Sequence, residues 1–115
     1  MFDLDDFKRV NDQHGHHVGD HVLQVFAKRL AAQFRPDDVA CRWGGDEFLV
    51  VMSSAMPDAL GKANEVARHL NGQYAIESSR GALNICVTVS VGVAQHEPGE
   101  SDEQLFARAD ALLYL

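Results

Sequence analysis

The sequence predicts an α+β domain in which a central, mostly antiparallel sheet is flanked by helices. Three observations predict it. Two short apolar segments, 39–43 and 47–52, are separated only by Gly44-Gly45-Asp46, the spacing of a β-hairpin. A hairpin in mid-chain favours an antiparallel or mixed sheet over a doubly wound parallel one. Residues 84–94 alternate strictly between apolar and small or polar side chains, the period of a strand.

Each element has its own justification. Residues 1–4 read as the tail of a strand, and 5–13 as a short helix burying Phe7 and Val10. From 22 to 34 the apolar residues Val22, Phe26, Leu30 and Phe34 recur every four positions, widened by Leu23 and Val25, and Pro36 stops the helix. The hairpin 39–52 follows, with Gly44 and Gly45 available for a reversal at positive φ. A second helix spans 58–70, with Leu60, Ala63, Ala67 and Leu70 on one side and Asn71-Gly72 as its stop. In the strand 84–94, Ile85, Val87, Val89, Val91 and Val93 face one way. Ser101 and Gln104 form a capping box that opens a last helix, with Leu105, Phe106, Ala109, Leu112 and Leu113 inside.

A chain of 115 residues with 46% hydrophobic residues builds one domain with a real core. Asp and Glu outnumber Lys and Arg by 17 to 10, for a net charge of −7. So acidic a surface argues against non-specific nucleic-acid binding and against contact with an anionic membrane. A phosphorylated ligand would need a divalent cation between its phosphates and the carboxylates. Cys41 and Cys86 are too few for a disulfide framework or a zinc site, which fits a reduced, cytoplasmic setting. No apolar run has the length of a membrane span, and no leader is visible. His14, His16, His17 and His21 crowd one segment, but with no cysteine or carboxylate at ligand spacing they read as surface histidines.

Two segments concentrate carboxylates at strand ends or turns: Asp3-Leu4-Asp5-Asp6-Phe7-Lys8 and Gly44-Gly45-Asp46-Glu47-Phe48. If their strands are neighbours, Asp3 and Asp46 converge on one cation. Hard divalent ions take one or two carboxylates plus substrate phosphates, and paired metals activate an attacking oxygen and stabilise a leaving one. The glycines let a backbone approach a triphosphate that a side chain would block. The plain alternative is two solvated acidic turns, which Asp favours on conformational grounds. Spacing alone does not overturn it.

Four stretches together resemble the GGDEF domain family. They are Arg42-Trp43-Gly44-Gly45-Asp46-Glu47-Phe48; the run from Asp3 to Asp12 with Gly15-His16 and Gly19-Asp20 behind it; Ser90-Val91-Gly92-Val93-Ala94; and Ala109-Asp110-Ala111-Leu112-Leu113-Tyr114. They occur in the family's order and spacing and span nearly all of the chain. The resemblance implies a fold related to nucleotidyl cyclases and polymerase palms. It implies a diguanylate cyclase, which condenses two GTP into cyclic di-GMP with release of pyrophosphate across a homodimer.

By position, the resemblance makes Asp3 and Asp46 the side-chain ligands of Mg²⁺ or Mn²⁺, with the Leu4 carbonyl a third. Glu47 is a candidate for a second metal or for proton removal, and Asp46 and Glu47 stay open as the base. Lys8 faces phosphate. Asn11 and Asp20 read guanine, whose adjacent N1–H and amino donors suit a carboxylate, with Phe7 and His16 lining that pocket and Gly44 and Gly45 against the nucleotide. Arg35-Pro36-Asp37-Asp38, five residues before Gly44, fits the Arg-x-x-Asp pattern of the family's inhibitory cyclic di-GMP site, with Arg68 assisting. Trp43 stands where members usually carry Tyr or Phe. The resemblance further implies that residues 1–115 are a domain truncated at both ends, since members carry residues before Asp3 and phosphate-contacting basic residues after Tyr114. A parent protein can be membrane-anchored through other regions. The alternative function is a catalytically inactive module that binds cyclic di-GMP or GTP as a receptor.

Overall fold

The computed structural model describes residues 1–113; Tyr114 of the fourth motif lies outside them. Ten elements follow one another: β1 (Phe2–Leu4), α1 (Phe7–His14), α2 (His16–Ala32), β2 (Val39–Arg42), β3 (Glu47–Val51), α3 (Met56–Leu70), β4 (Gly72–Ser78), β5 (Gly81–Val87), β6 (Val89–Val91) and α4 (Asp102–Leu112). Four strands form one sheet in the order β2-β3-β1-β6, every pair antiparallel, and β4 and β5 form a separate hairpin. The expected mixed fold with an antiparallel sheet is therefore the one observed. No helix among the described residues is long and apolar enough to cross a membrane.

Strand pleating sends successive side chains to opposite faces. Phe2, Leu4 and Phe48 enter the main core with Val22, Phe26 and Leu30 of α2 and Val66 and Leu70 of α3. The rings of Phe26 and Phe48 stand 5.0 Å apart. The intervening residues face the other way, where Met1 and Leu49 pack with Ala109 and Leu113 at α4. The sheet is thus sandwiched, and Asp3 and Glu47 lie on the α4 side.

That close packing of α4 depends on Gly92. A Cβ there would collide with the Ala109 carbonyl and come within 3.1 Å of the Leu113 nitrogen, so any side chain at this position would lift the helix from the sheet. The helix start is held by the expected capping box between Ser101 and Gln104. Arg108 grips the preceding loop, its Nε donating to Glu100 Oε2 at 2.6 Å and its Nη2 to the Gln95 carbonyl at 2.6 Å. The Arg108 hydrogen bonds hold the Glu100 carboxyl down at about 2.

Several elements differ from their sequence pattern. The expected helix 22–34 begins earlier and ends at Ala32, so Phe34 lies past its end and packs edge-on to Phe2 at 6.3 Å. The strand 84–94 is two strands in two sheets. Its register partner changes at Thr88, where Asp5 N–H donates to the Thr88 carbonyl and Val89 N–H donates to Asn71 Oδ1. The alternation persists across the break because both halves face the same core. Strand β4 has no counterpart in the expected order. Its pattern is legible only in Tyr74 and Ile76, both buried between exposed neighbours. Leu60 and Leu112 are 49% and 37% exposed instead of inside, and Val66 takes the fully buried place on α3. Trp43 falls just past the end of β2.

Candidate active site

The acidic segments meet because β1 pairs with β3. Asp3 stands directly opposite Glu47, and Phe2 opposite Phe48. One step on, Leu4 N–H donates to the Asp46 carbonyl at 3.1 Å. Opposite residues of an antiparallel pair share a face with Cβ atoms roughly 5 Å apart, so the two carboxylates project side by side. On the other flank of β1, Ser90 is opposite Asp3. Asp5 is occupied structurally, accepting hydrogen bonds from Thr88 Oγ1 at 2.9 Å and Ser90 Oγ at 2.5 Å.

The turn that presents Asp46 is not built as expected. Neither Gly44 nor Gly45 has positive φ. The turn closes through Trp43 N–H and Gly44 N–H, which both donate to the Glu47 carbonyl at 2.8 and 3.2 Å. Arg42 closes it from the side, with Nε 3.1 Å from the Gly44 carbonyl and Nη2 2.8 Å from the Gly45 carbonyl. Trp43 braces the same tip against α4, its ring edge-on to Phe106 at 5.0 Å.

One turn beyond Phe106 on α4 comes Asp110, a residue that sequence reasoning quoted but did not assign to the site. Burial pushes the Glu47 carboxyl above its usual range, and the nearby charges of Asp110, Asp3 and Asp46 push it further. Asp110 Oδ1 is buried with no hydrogen-bond partner among the described residues; a side-chain hydrogen bond with Asp110 also raises Glu47, and the Met1 amino group feels the charge of both. The signal available in the sequence was helical spacing: Phe106 and Asp110 are four apart and share a face.

The other expected site residues fall into separate places. Asn11 and Phe7 of α1 press on Gly19 of α2, where a Cβ would collide with Asn11 Oδ1 and sit 3.2 Å from Phe7 Cζ. Phe7 is buried. Asp20, the next residue, opens onto a groove of about 570 Å³ between α2 and β2, shared with Leu23, Gln24, Cys41 and Arg42. His16 instead lines a different groove, with His14, His17, His21 and Arg80 of the β4–β5 hairpin. Lys8 is exposed in the first turn of α1. Arg35 and Asp38 form a closed turn in which Asp38 Oδ2 accepts from Arg35 N–H at 2.9 Å. The Arg35 guanidinium has no hydrogen bond or ion pair among the described residues. Arg68 is exposed in the last turn of α3 and is not joined to that loop by any such contact. An apolar cavity of about 360 Å³ lies at the far end of β3, lined by Phe34, Val51, Met56 and Phe106, and touches none of Asp3, Asp46 and Glu47.

The model of the diguanylate cyclase GGDEF domain matches residues 1–115. The chain belongs to the GGDEF family. It is 40% identical over 116 residues to the response regulator PleD of Caulobacter vibrioides, covering 99% of this chain and 25% of that protein. It is 39% identical over 114 residues to the diguanylate cyclase DgcM of Escherichia coli, covering 99% of this chain and 27% of DgcM. This GGDEF chain thus spans about a quarter of the length of those relatives. Among solved structures, diguanylate cyclase SiaD of Pseudomonas aeruginosa, in complex with its activator SiaC, superposes with a TM-score of 0.85 at 38% identity, covering 98% of this chain and 43% of SiaD. The GGDEF domain of DgcB from Caulobacter crescentus, in complex with c-di-GMP, gives 0.86 at 31% identity, covering 98% and 67%.

The crowding of carboxylates yields a directional test. The native state holds the Glu47 proton more tightly than the unfolded chain does. Native stability therefore falls as pH rises from 4.5 through the raised value. Replacing Asp110 with Asn removes one like charge and offers an amide donor, so the Glu47 midpoint should move down. Carboxyl-carbon NMR titration of the Asp110→Asn domain reads it; an unchanged or higher midpoint contradicts the assignment.

Proposed function

We propose that this domain condenses two molecules of GTP into cyclic di-GMP. Each domain of a homodimer holds one GTP. The 3′-hydroxyl oxygen of one nucleotide forms a bond to the α-phosphorus of the other, and the α–β phosphoanhydride bond breaks to release pyrophosphate. The observation that carries this reading is the β1–β3 register, which sets Asp3 opposite Glu47 beside Asp46.

The donors suit a hard divalent cation. They are oxygen ligands only, and the carboxylates that, after burial, raise the Glu47 carboxyl repel one another in a way that positive charge relieves. No group of three or more His, Cys, Asp or Glu among the described residues is arranged to hold a metal alone, so nucleotide phosphates would complete the shell. Asp3, Asp46 and the Leu4 carbonyl would hold Mg²⁺ or Mn²⁺, which when bound offsets charge on the phosphates. Glu47 or Asp46 accepts the 3′-hydroxyl proton. Lys8 offers its ammonium to phosphate. Asp20, in its groove, accepts from guanine N1–H and the amino group, with Asn11 alongside. Asp20 is exposed in the unbound domain; a base that covers it without that donor pair, as adenine would, leaves it unsatisfied.

Arg35 and Asp38 supply a second, inhibitory site for the product. The Asp38–Arg35 turn preorganises the loop through the backbone and leaves the arginine fork for a phosphate or a guanine edge.

The full-length protein with GTP and Mg²⁺ should yield cyclic di-GMP on chromatography, and a folded dimer that makes none rejects the enzyme. Asp46→Asn should lower kcat by about a hundredfold or more; full activity would remove Asp46 from the metal site. Arg35→Ala should weaken cyclic di-GMP binding about tenfold in calorimetry with the active site blocked, the scale of one lost charge-assisted contact. Unchanged affinity would remove Arg35 from the inhibitory site.

A further inference from the structure

Arg42 makes three hydrogen bonds to the backbone of the GGDEF turn. Its guanidinium donates to two consecutive carbonyls, Nε to Gly44 at 3.1 Å and to Gly45 at 3.2 Å, and Nη2 to Gly45 at 2.8 Å. A trans peptide holds its C=O and the following N–H in one plane, pointing in opposite directions, and no peptide among the described residues is cis. With both carbonyls drawn to Arg42, the N–H groups of Gly45 and Asp46 point away from it. Neither donates a hydrogen bond among the described residues. Two successive amides aimed the same way are an anion-binding arrangement.

The glycines themselves point to a ligand. Neither needs positive φ. A Cβ at Gly45 would meet nothing within 4 Å, and one at Gly44 only Glu47 Cβ at 3.8 Å. The protein's own packing therefore does not demand glycine at either place, and bare backbone serves something that approaches from outside.

We propose that Arg42 is a positioning residue for the nucleotide, orienting the Gly45 and Asp46 N–H groups toward a phosphoryl oxygen. This rests on the cyclase reading and adds a residue to it. Lysine is a poor replacement, because a single ammonium cannot fork between two carbonyls as a guanidinium does. The Asp46 carboxylate next to these amides would repel a bare phosphate, so occupancy of the pair should require the divalent cation.

The test is amide NMR of the protein with Mg²⁺ and a non-hydrolysable GTP analogue, compared with Mg²⁺ and guanosine. The analogue should shift the Gly45 and Asp46 amides, and guanosine should shift only those near Asn11 and Asp20. Arg42→Ala and Arg42→Lys should lose the Gly45 and Asp46 shifts while keeping those at Asn11 and Asp20, and kcat should fall about tenfold to a hundredfold with KM for GTP changed less. Gly45→Ala should keep the wild-type melting temperature and lose the same shifts. Analogue shifts at Asn11 and Asp20 without any at Gly45 and Asp46, or shifts that survive intact in Arg42→Ala, overturn the role of Arg42 alone. No shift at any of these residues overturns nucleotide binding and this inference with it.

Discussion

In the antiparallel ladder between β1 and β3, a three-residue strand decides that Asp3 and Glu47 face each other. Phe2 and Leu4 are buried against α2 and α3, and Asp3 between them is left facing α4. A slip of one residue would bury the carboxylate and expose both apolar side chains. The hydrophobic effect, at about 1.5–3 kcal/mol for each large buried side chain, therefore fixes the register. The register in turn fixes Asp3 against Glu47. Site geometry is a by-product of core packing, and the core is what makes it rigid.

Like charges held together in this way repel, and the Met1 amino group near Asp110 and Glu47 offsets them only in part. Glu47 is flanked by Asp3, Asp46 and Asp110, and burial already disfavours its charge. The opposing supports are what keep the cluster from relaxing: Arg42 ties the turn from one side, and Phe106 meets Trp43 from the other. Gly92 allows α4 to come close enough for this. A fold that maintains a repulsive cluster on rigid supports is suited to a positively charged partner, and the cation–triphosphate reading supplies one.

Much of this was legible in the sequence, for reasons that differ by element. The hairpin and the capped last helix depend on local chemistry, Gly-Gly between apolar runs and Ser101 with Gln104, and both appear in the structure. The 84–94 run revealed its buried face but not its break, because the exchange of strand partners at Thr88 depends on Asp5 and Asn71, far away in the chain. Strand β4 hid behind a helix stop that was itself correct. In the site, the two acidic motifs could be matched by order and spacing. Arg42 and Asp110 could not be assigned the same way: one acts on backbone carbonyls, and the other enters from α4 only once Gly92 has let that helix down. The positive φ expected of Gly44 and Gly45 is absent because the Arg42 contacts and the Glu47 carbonyl close the turn instead.

Paramagnetic broadening by Mn²⁺ tests the central claim most directly, with the GTP analogue present and amide signals read along the chain. If the β1–β3 register builds the cation site, broadening will be strongest at Asp3, Leu4, Asp46 and Glu47 and will fade with distance from them. Broadening centred on the groove of His14, His16, His17 and His21, with sharp signals at Asp3 and Glu47, would contradict it.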